Sequence, residues 1–359
     1  MTLLADIEAD IEAMVTCESP SSDPVAVARS ADLVARIGTQ RLGAAPARHG
    51  ANLLWRWGGE PKVLVLGHHD TVWPLGSLAT HPFSVAGGVM RGPGCFDMKA
   101  GVAMALHALA ALDDLDGVTL LITSDEEIGS PGSRTLIEES AAGCAAALVL
   151  EASADGGALK TERKGISMYT VRAHGRAAHA GLEPHRGVNA ALELAHQALT
   201  VAALADPQRG STVTPTTFAA GTTSNTVPAG GEFAVDVRTA LGDEQDRIDA
   251  AMRGLQPVLA GATLEVTGGR NRPPLPGSAS AELFARAQRI AAGLGLPPLA
   301  SAAVGGGSDG NFTAGIGIPT LDGLGAVGGG AHAADEHVLV DRLPDRTALL
   351  TALIRDLLG

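Results

Sequence analysis

Five short segments carry groups that bind metal or move protons: "GHHD" (67–70), "GPGCFDMKAG" (92–101), "SDEEIGS" (124–130), "LEAS" (150–153) and "GAHAADE" (330–336). Each alone has an ordinary reading as a helix cap, a turn or a solvated acidic face. Together they supply histidines and several carboxylates, with one carboxylate to spare as a base. Imidazole and carboxylate in combination suit zinc, and a shared carboxylate lets two ions sit roughly 3.5–4 Å apart as a co-catalytic pair. Neighbouring side chains on a strand point to opposite faces, so only one of His68 and His69 serves a site on a given face.

These segments need a scaffold that brings them to one place. From about residue 53 to 150, Val/Leu-rich runs ("NLLWRW", "KVLVLG", "VTLLIT", "AALVLE") alternate with helical stretches such as "MKAGVAMALHALAAL" and "SRTLIEESAAG". Buried strands alternating with helices predict an α/β architecture with a mixed, mostly parallel sheet flanked by helices. The chemistry-bearing segments fall at or just after the C-terminal ends of these strands, where open α/β sheets bind ligands.

The pattern changes near Gly165. "GISMYTVRAHG", "GVNAALELAHQALTVAALA", "STVTPTTFAAG", "GEFAVDVRTAL", "EQDRIDAAMRGLQPVL" and "ATLEVTG" read in order as β-α-β-β-α-β, the split ferredoxin-like unit. After "RNRPPLPG" the α/β pattern resumes, ending in the helix "RLPDRTALLTALIRDLL". The expected organisation is a discontinuous catalytic domain, residues 1–164 and 273–359, interrupted by an inserted α+β domain over 165–272.

Of the 359 residues, 45% are hydrophobic and 18% charged, as in an ordinary globular chain with ample core. The net charge of −13, with no basic stripe, argues against nucleic acid or an anionic membrane as partner. Cys17, Cys95 and Cys144 share no C-x-x-C spacing, so neither a disulfide framework nor a thiolate zinc site is expected. A reducing, cytoplasmic location fits them. "MTLLADIEADIEAMV" carries acids at helical spacing and reads as a first helix rather than an export signal, and no apolar run approaches a membrane span.

The five segments, in this order and with this insertion, resemble the co-catalytic di-zinc peptidases and deacylases that include glutamate carboxypeptidase, succinyl-diaminopimelate desuccinylase, acetylornithine deacetylase and aminoacylase. The resemblance spans nearly the whole chain and is strongest to the glutamate carboxypeptidase branch, through "GHHDTVWPLGSL" and "GPGCFDMKAG". It implies two Zn2+ ions, with Co2+ or Mn2+ as substitutes. His68, Asp97 and Glu151 would hold one ion and Asp97, Glu127 and His332 the other, with a cis peptide after Asp97. Asp70 would steady the His68 imidazole, and Glu126 would be the general base toward a metal-bridging water. In the inserted domain His179 would reach across a homodimer interface to polarise the scissile carbonyl. Asn225 and Arg238 would bind that carbonyl and the substrate carboxylate, with the Gly306 loop and Arg272 as further candidates.

The implied reaction is hydrolysis of the amide to a C-terminal amino acid, glutamate being the first candidate, on a small peptide. Deacylation of an N-acyl amino acid is the alternative. A non-catalytic binding relative would lack a ligand or the base, and each is in place in this chain.

Overall fold

A computed structural model describes residues 3–359. The expected first helix is Leu3–Thr16; Met1 and Thr2 lie outside the described residues. The chain divides into two compact units: one runs through Arg163 and takes in Leu275–Val304 and Ser308–Gly359, and the other is Lys164–Pro274 with Gly305–Gly307.

The first unit is built on a six-stranded sheet in the order Ala47–His49, Asn52–Arg56, Val118–Thr123, Val63–His68, Ala146–Val149, Thr320–Leu321. The last four run parallel to one another, and the first two are joined antiparallel at the edge. Val63–His68 and Val118–Thr123 are buried at every residue, as expected of central strands covered on both faces. Helix Ala100–Ala110 is likewise buried along almost its whole length and packs against helix Leu343–Leu358. A charged knot ties three helices over this core: Asp10 accepts hydrogen bonds from Arg41 Nε (2.8 Å) and Nη2 (3.1 Å) and meets His107 Nε2 at 2.8 Å.

The second unit follows the expected β-α-β-β-α-β order: Gly165–His174, helix Ala190–Ala202, Thr212–Ala220, Gly230–Thr239, helix Gly242–Arg253, Thr263–Arg272. Its antiparallel sheet has Thr212–Ala220 and Thr263–Arg272 at the edges. Strand alternation places Tyr169, Val171, Ala173, Phe233, Val235 and Val237 in a separate core under the helices. The loop Gly305–Gly307, which the sequence reading left with the catalytic domain, groups with this unit because Gly307 lies against Ile166 and the Arg272 stem.

Candidate metal centre

Parallel pairing is what gathers the site. Val63–His68 pairs in register with both Val118–Thr123 and Ala146–Val149, so His68, the Glu126–Glu127 turn and Glu151 emerge at one sheet edge. Asp97 arrives in the turn Cys95–Lys99 ahead of helix Ala100–Ala110, where Asp97 and Met98 leave helical dihedrals and the peptide between them is cis. That helix can approach because residue 101 is glycine: a Cβ there would lie 2.2 Å from the Leu150 carbonyl oxygen, beside Glu151.

The five expected ligands come together around Asp97. His68 Nε2 lies 3.3 Å from Asp97 Oδ1 and 3.5 Å from Glu151 Oε1. His332 Nε2 lies 3.3 Å from both Asp97 Oδ2 and Glu127 Oε2. Asp97 thus offers one oxygen to each histidine, and Glu126 joins the group with a ligand-type atom within 4.8 Å of those of His68 and Glu151. His332 sits at φ +63°, a left-handed conformation shared, among described non-glycine residues, only by Ser130. Such a backbone costs about 1–3 kcal/mol and persists where surrounding structure imposes it.

This donor set fits divalent metal. His68 Nε2, Asp97 Oδ1 and Glu127 Oε1 are buried and make no hydrogen bond, an arrangement that is costly unless another group satisfies them. The crowded carboxylates also raise the imidazoles. Asp97 and Glu127 push His332 up to about 10. His68 is raised well above its ordinary value, because Asp70, Asp97 and Glu151 outweigh its burial. Burial works against the Asp97 charge, but His332 and His68 hold it well below the usual carboxylate range. Glu127 is raised, chiefly by burial.

Asp70 serves the centre in two ways. His68 Nδ1 donates to the Asp70 main-chain carbonyl at 3.0 Å, while the carboxylate, the expected acceptor, stands off at 3.4 Å. The carboxylate instead accepts from the backbone N–H groups of Glu126 (3.3 Å) and Glu127 (3.2 Å) and from Ser21 Oγ (2.6 Å). One residue therefore fixes both the imidazole and the acidic turn.

His69 points away from the ligands. Its Nε2 meets the Ala51 carbonyl at 3.1 Å and its Nδ1 meets Ser30 Oγ at 3.0 Å, and burial pushes its pKa down to about 4.

Several supporting residues escaped the sequence reading. Glu336 accepts from Gly94 N, Phe96 N, Asp97 N and Trp73 Nε1 at 2.6–3.0 Å, fastening the Asp97 turn. Its place in "GAHAADE" was the available signal. Buried Arg163 lies 3.3 Å from Glu151 Oε2 and donates from Nε to buried Asp322 at 2.6 Å. Lys99 is buried and donates to the Met14 and Cys17 carbonyls, and burial pushes it down to about 8. No local pattern marks Arg163, Asp322 or Lys99 for these contacts.

The remaining candidates lie in the second unit. His179 is exposed, with its Nδ1 accepting from Gly181 N and Leu182 N, and Ala180 N donates to the carbonyl of exposed Asn225, so these two candidates are neighbours. Arg238 is half-buried and donates from Nε and Nη2 to Asp236, both at 2.8 Å. Arg272 is buried, next to the Gly305–Gly307 loop, in which Gly306 is exposed.

Comparison with known proteins follows the same line. Residues 64–356 match the profile of peptidase family M20/M25/M40. The chain is 34% identical over 342 residues to carboxypeptidase G2 of Pseudomonas sp. (strain RS-16), covering 92% of this chain and 79% of that one. It is 31% identical over 338 residues to succinyl-diaminopimelate desuccinylase of Dinoroseobacter shibae, covering 85% and 87%. Its fold superposes on an M20 family metallo-carboxypeptidase of Sulfolobus solfataricus with a TM-score of 0.74 at 15% identity, covering 99% of both chains. With the sheet-edge cluster of imidazole and carboxylate already in place, the chain belongs to peptidase family M20/M25/M40 and is a metallohydrolase of amide bonds.

Proposed function

We propose that the protein is a zinc-dependent carboxypeptidase that releases a C-terminal amino acid, glutamate being the first to test, with two zinc ions held by His68, Asp97, Glu127, Glu151 and His332. The observation that carries the reading is Glu126 gathered beside His68 and Glu151 while its backbone is tied to Asp70. When bound, the ions lower the pKa of a water and polarise the amide carbonyl. Glu126 takes a proton from the attacking water and delivers it to the leaving nitrogen, so water adds across the C–N bond to give an acid and an amine. Asp70 keeps the Glu126 turn and the His68 ring in register throughout.

On the substrate side, Arg238 receives the free α-carboxylate: its Nε and Nη2 are engaged by Asp236, which leaves Nη1 for an incoming group. Arg272 and the Gly306 loop lie near one another in the same unit and supply further contacts. His179 and Asn225, neighbours on exposed segments, act on the scissile carbonyl, with His179 working across a homodimer interface. Support for that interface comes from the exposed Leu192 and Leu199 on helix Ala190–Ala202, beside edge strand Thr212–Ala220 with its half-exposed Phe218. The three unpaired cysteines fit a reducing, cytoplasmic setting.

Similarity to carboxypeptidase G2 over 92% of the chain favours peptide substrates, and the desuccinylase relative supports N-acyl amino acids as the second reading. Zinc-loaded protein incubated with dipeptides and N-acyl amino acids of varied C-terminal residue tests both. Release of the C-terminal amino acid, abolished by a chelator and restored by zinc, is the expected result. Absence of release from every free-carboxylate substrate overturns the reading.

A further inference from the structure

Beside the metal centre the first unit contains a cavity of about 190 Å3 that the reaction described above does not use. Its walls include Trp73, His81, Ser84, Arg91, Ala334 and Glu336. Three of the loops that line it also build the centre. Trp73 follows Asp70 in "HDTVW", Arg91 and Gly92 open the turn that leads to Asp97, and Ala334 lies between His332 and Glu336.

The chemistry of the walls is specific. The Trp73 and His81 rings lie in contact with centroids 4.9 Å apart, tilted at 54° to each other. His81 Nδ1 is held by Thr80 Oγ1 at 2.8 Å. Arg91 is fixed in its strand between Ser84 and His337, and its Nη1 donates to the Asp335 carbonyl at 3.1 Å. Among the described residues its guanidinium meets no carboxylate. Glu336, the acidic group in the wall, directs its oxygens to the N–H groups of Gly94, Phe96, Asp97 and Trp73. A flat ring, a hydroxyl, an imidazole and an arginine cation without an acidic partner make a receiver for a carboxylate. The volume is that of roughly six waters at about 30 Å3 each, and below the roughly 300 Å3 of a pocket that encloses a whole ligand. That size suits one arm of a larger molecule rather than the whole of it.

We propose that this cavity binds a carboxylate at the end of the substrate's acyl arm, with Arg91 and His81 as its receivers and the Trp73 indole as its wall. The proposal rests on the amide-hydrolase reading of the neighbouring centre, in which the leaving amino acid's carboxylate goes to Arg238. The preferred substrates are then short dicarboxylic acyl amino acids or peptides whose penultimate residue is acidic.

Zinc-loaded full-length protein is assayed on the N-succinyl and N-butanoyl forms of one amino acid, which match in length and differ in a terminal carboxylate. The succinyl form is expected to be preferred by about tenfold or more in kcat/KM. R91Q should lower kcat/KM for it by at least about tenfold more than for the butanoyl form, and R91K should restore part of the loss. Equal losses on both substrates, or a preference for the neutral arm, overturn the proposal. In parallel, glutarate is titrated against the tryptophan fluorescence of zinc-loaded wild type, W73F and R91Q. A signal lost in both variants supports the pocket, and one unchanged in R91Q overturns it. Arg91-dependent glutarate binding combined with equal acyl losses assigns the site to a free carboxylate and overturns its role in the substrate. If no amide is cleaved, the amide-hydrolase reading fails, and with it the assignment to an acyl arm, while the glutarate titration still decides whether the cavity receives a carboxylate.

Discussion

At the scale of single residues, the proposed reaction separates groups that hold charge from one, Glu126, that moves a proton. Glu126→Gln keeps the shape of the turn and removes the proposed base, so metal content by elemental analysis should match wild type while kcat falls by about 10²–10⁴-fold. Equal activity would remove Glu126 from the proton path. The adjacent histidines give a sharper contrast. His68→Ala removes a buried nitrogen that faces Asp97 and Glu151 and should deplete bound metal, whereas His69→Gln loses only contacts with Ser30 and Ala51 and should retain it. Glu336 is not one of the expected ligands, yet four donors converge on it. Glu336→Gln should weaken metal affinity by about 10–100-fold in a chelator competition, through the Asp97 turn it fastens.

At the scale of elements, close approach and charge pairing hold the scaffold. A side chain at residue 101 would collide with the Leu150 carbonyl, so Gly101→Ala must shift helix Ala100–Ala110 away from the strand end that carries Glu151. Loss of about 1–3 kcal/mol in denaturant unfolding is expected, with weaker metal binding alongside. The knot among helices Leu3–Thr16, Pro24–Leu42 and Ala100–Ala110 is sensitive to pH. Burial opposes the Asp10 charge, but His107 and Arg41 outweigh it and hold Asp10 below its ordinary value of 3.8. A carboxylate lowered in the folded state contributes stability that is fully present above its unfolded pKa and is lost as pH falls through the folded one. Asp10→Asn should therefore cost about 2 kcal/mol at neutral pH, and the gap from wild type should close below about pH 4.

At the scale of the whole molecule, the second unit supplies the surface expected to pair two copies. Leu199 is 75% and Leu192 55% exposed on one helix beside an edge strand, a placement that leaves apolar area and unpaired backbone together in water. On the proposed assignment, in which His179 acts from a partner copy, Leu199→Glu should shift sedimentation equilibrium toward monomer, and activity should fall in step with dissociation. Full activity in a demonstrated monomer would remove His179 from the reaction. Among the described residues no helix is long and apolar enough to cross a membrane.

The sequence by itself determined the element order and the residues that gather at the centre. Apolar runs, their period and the punctuation by glycine and proline are local properties, and the five chemistry-bearing segments sit where those runs stop. The β-α-β-β-α-β insertion was legible for the same reason. Tertiary structure decided what local pattern cannot carry. It gave His68 the Asp70 carbonyl in place of the carboxylate, turned that carboxylate to the Glu126–Glu127 backbone, and set Arg163 and Asp322 behind Glu151. It closed four N–H groups on Glu336 and grouped Gly305–Gly307 with the second unit. These contacts join residues tens to hundreds of positions apart, and a hydrogen bond depends on a few tenths of an ångström in packing that neither residue type nor spacing encodes.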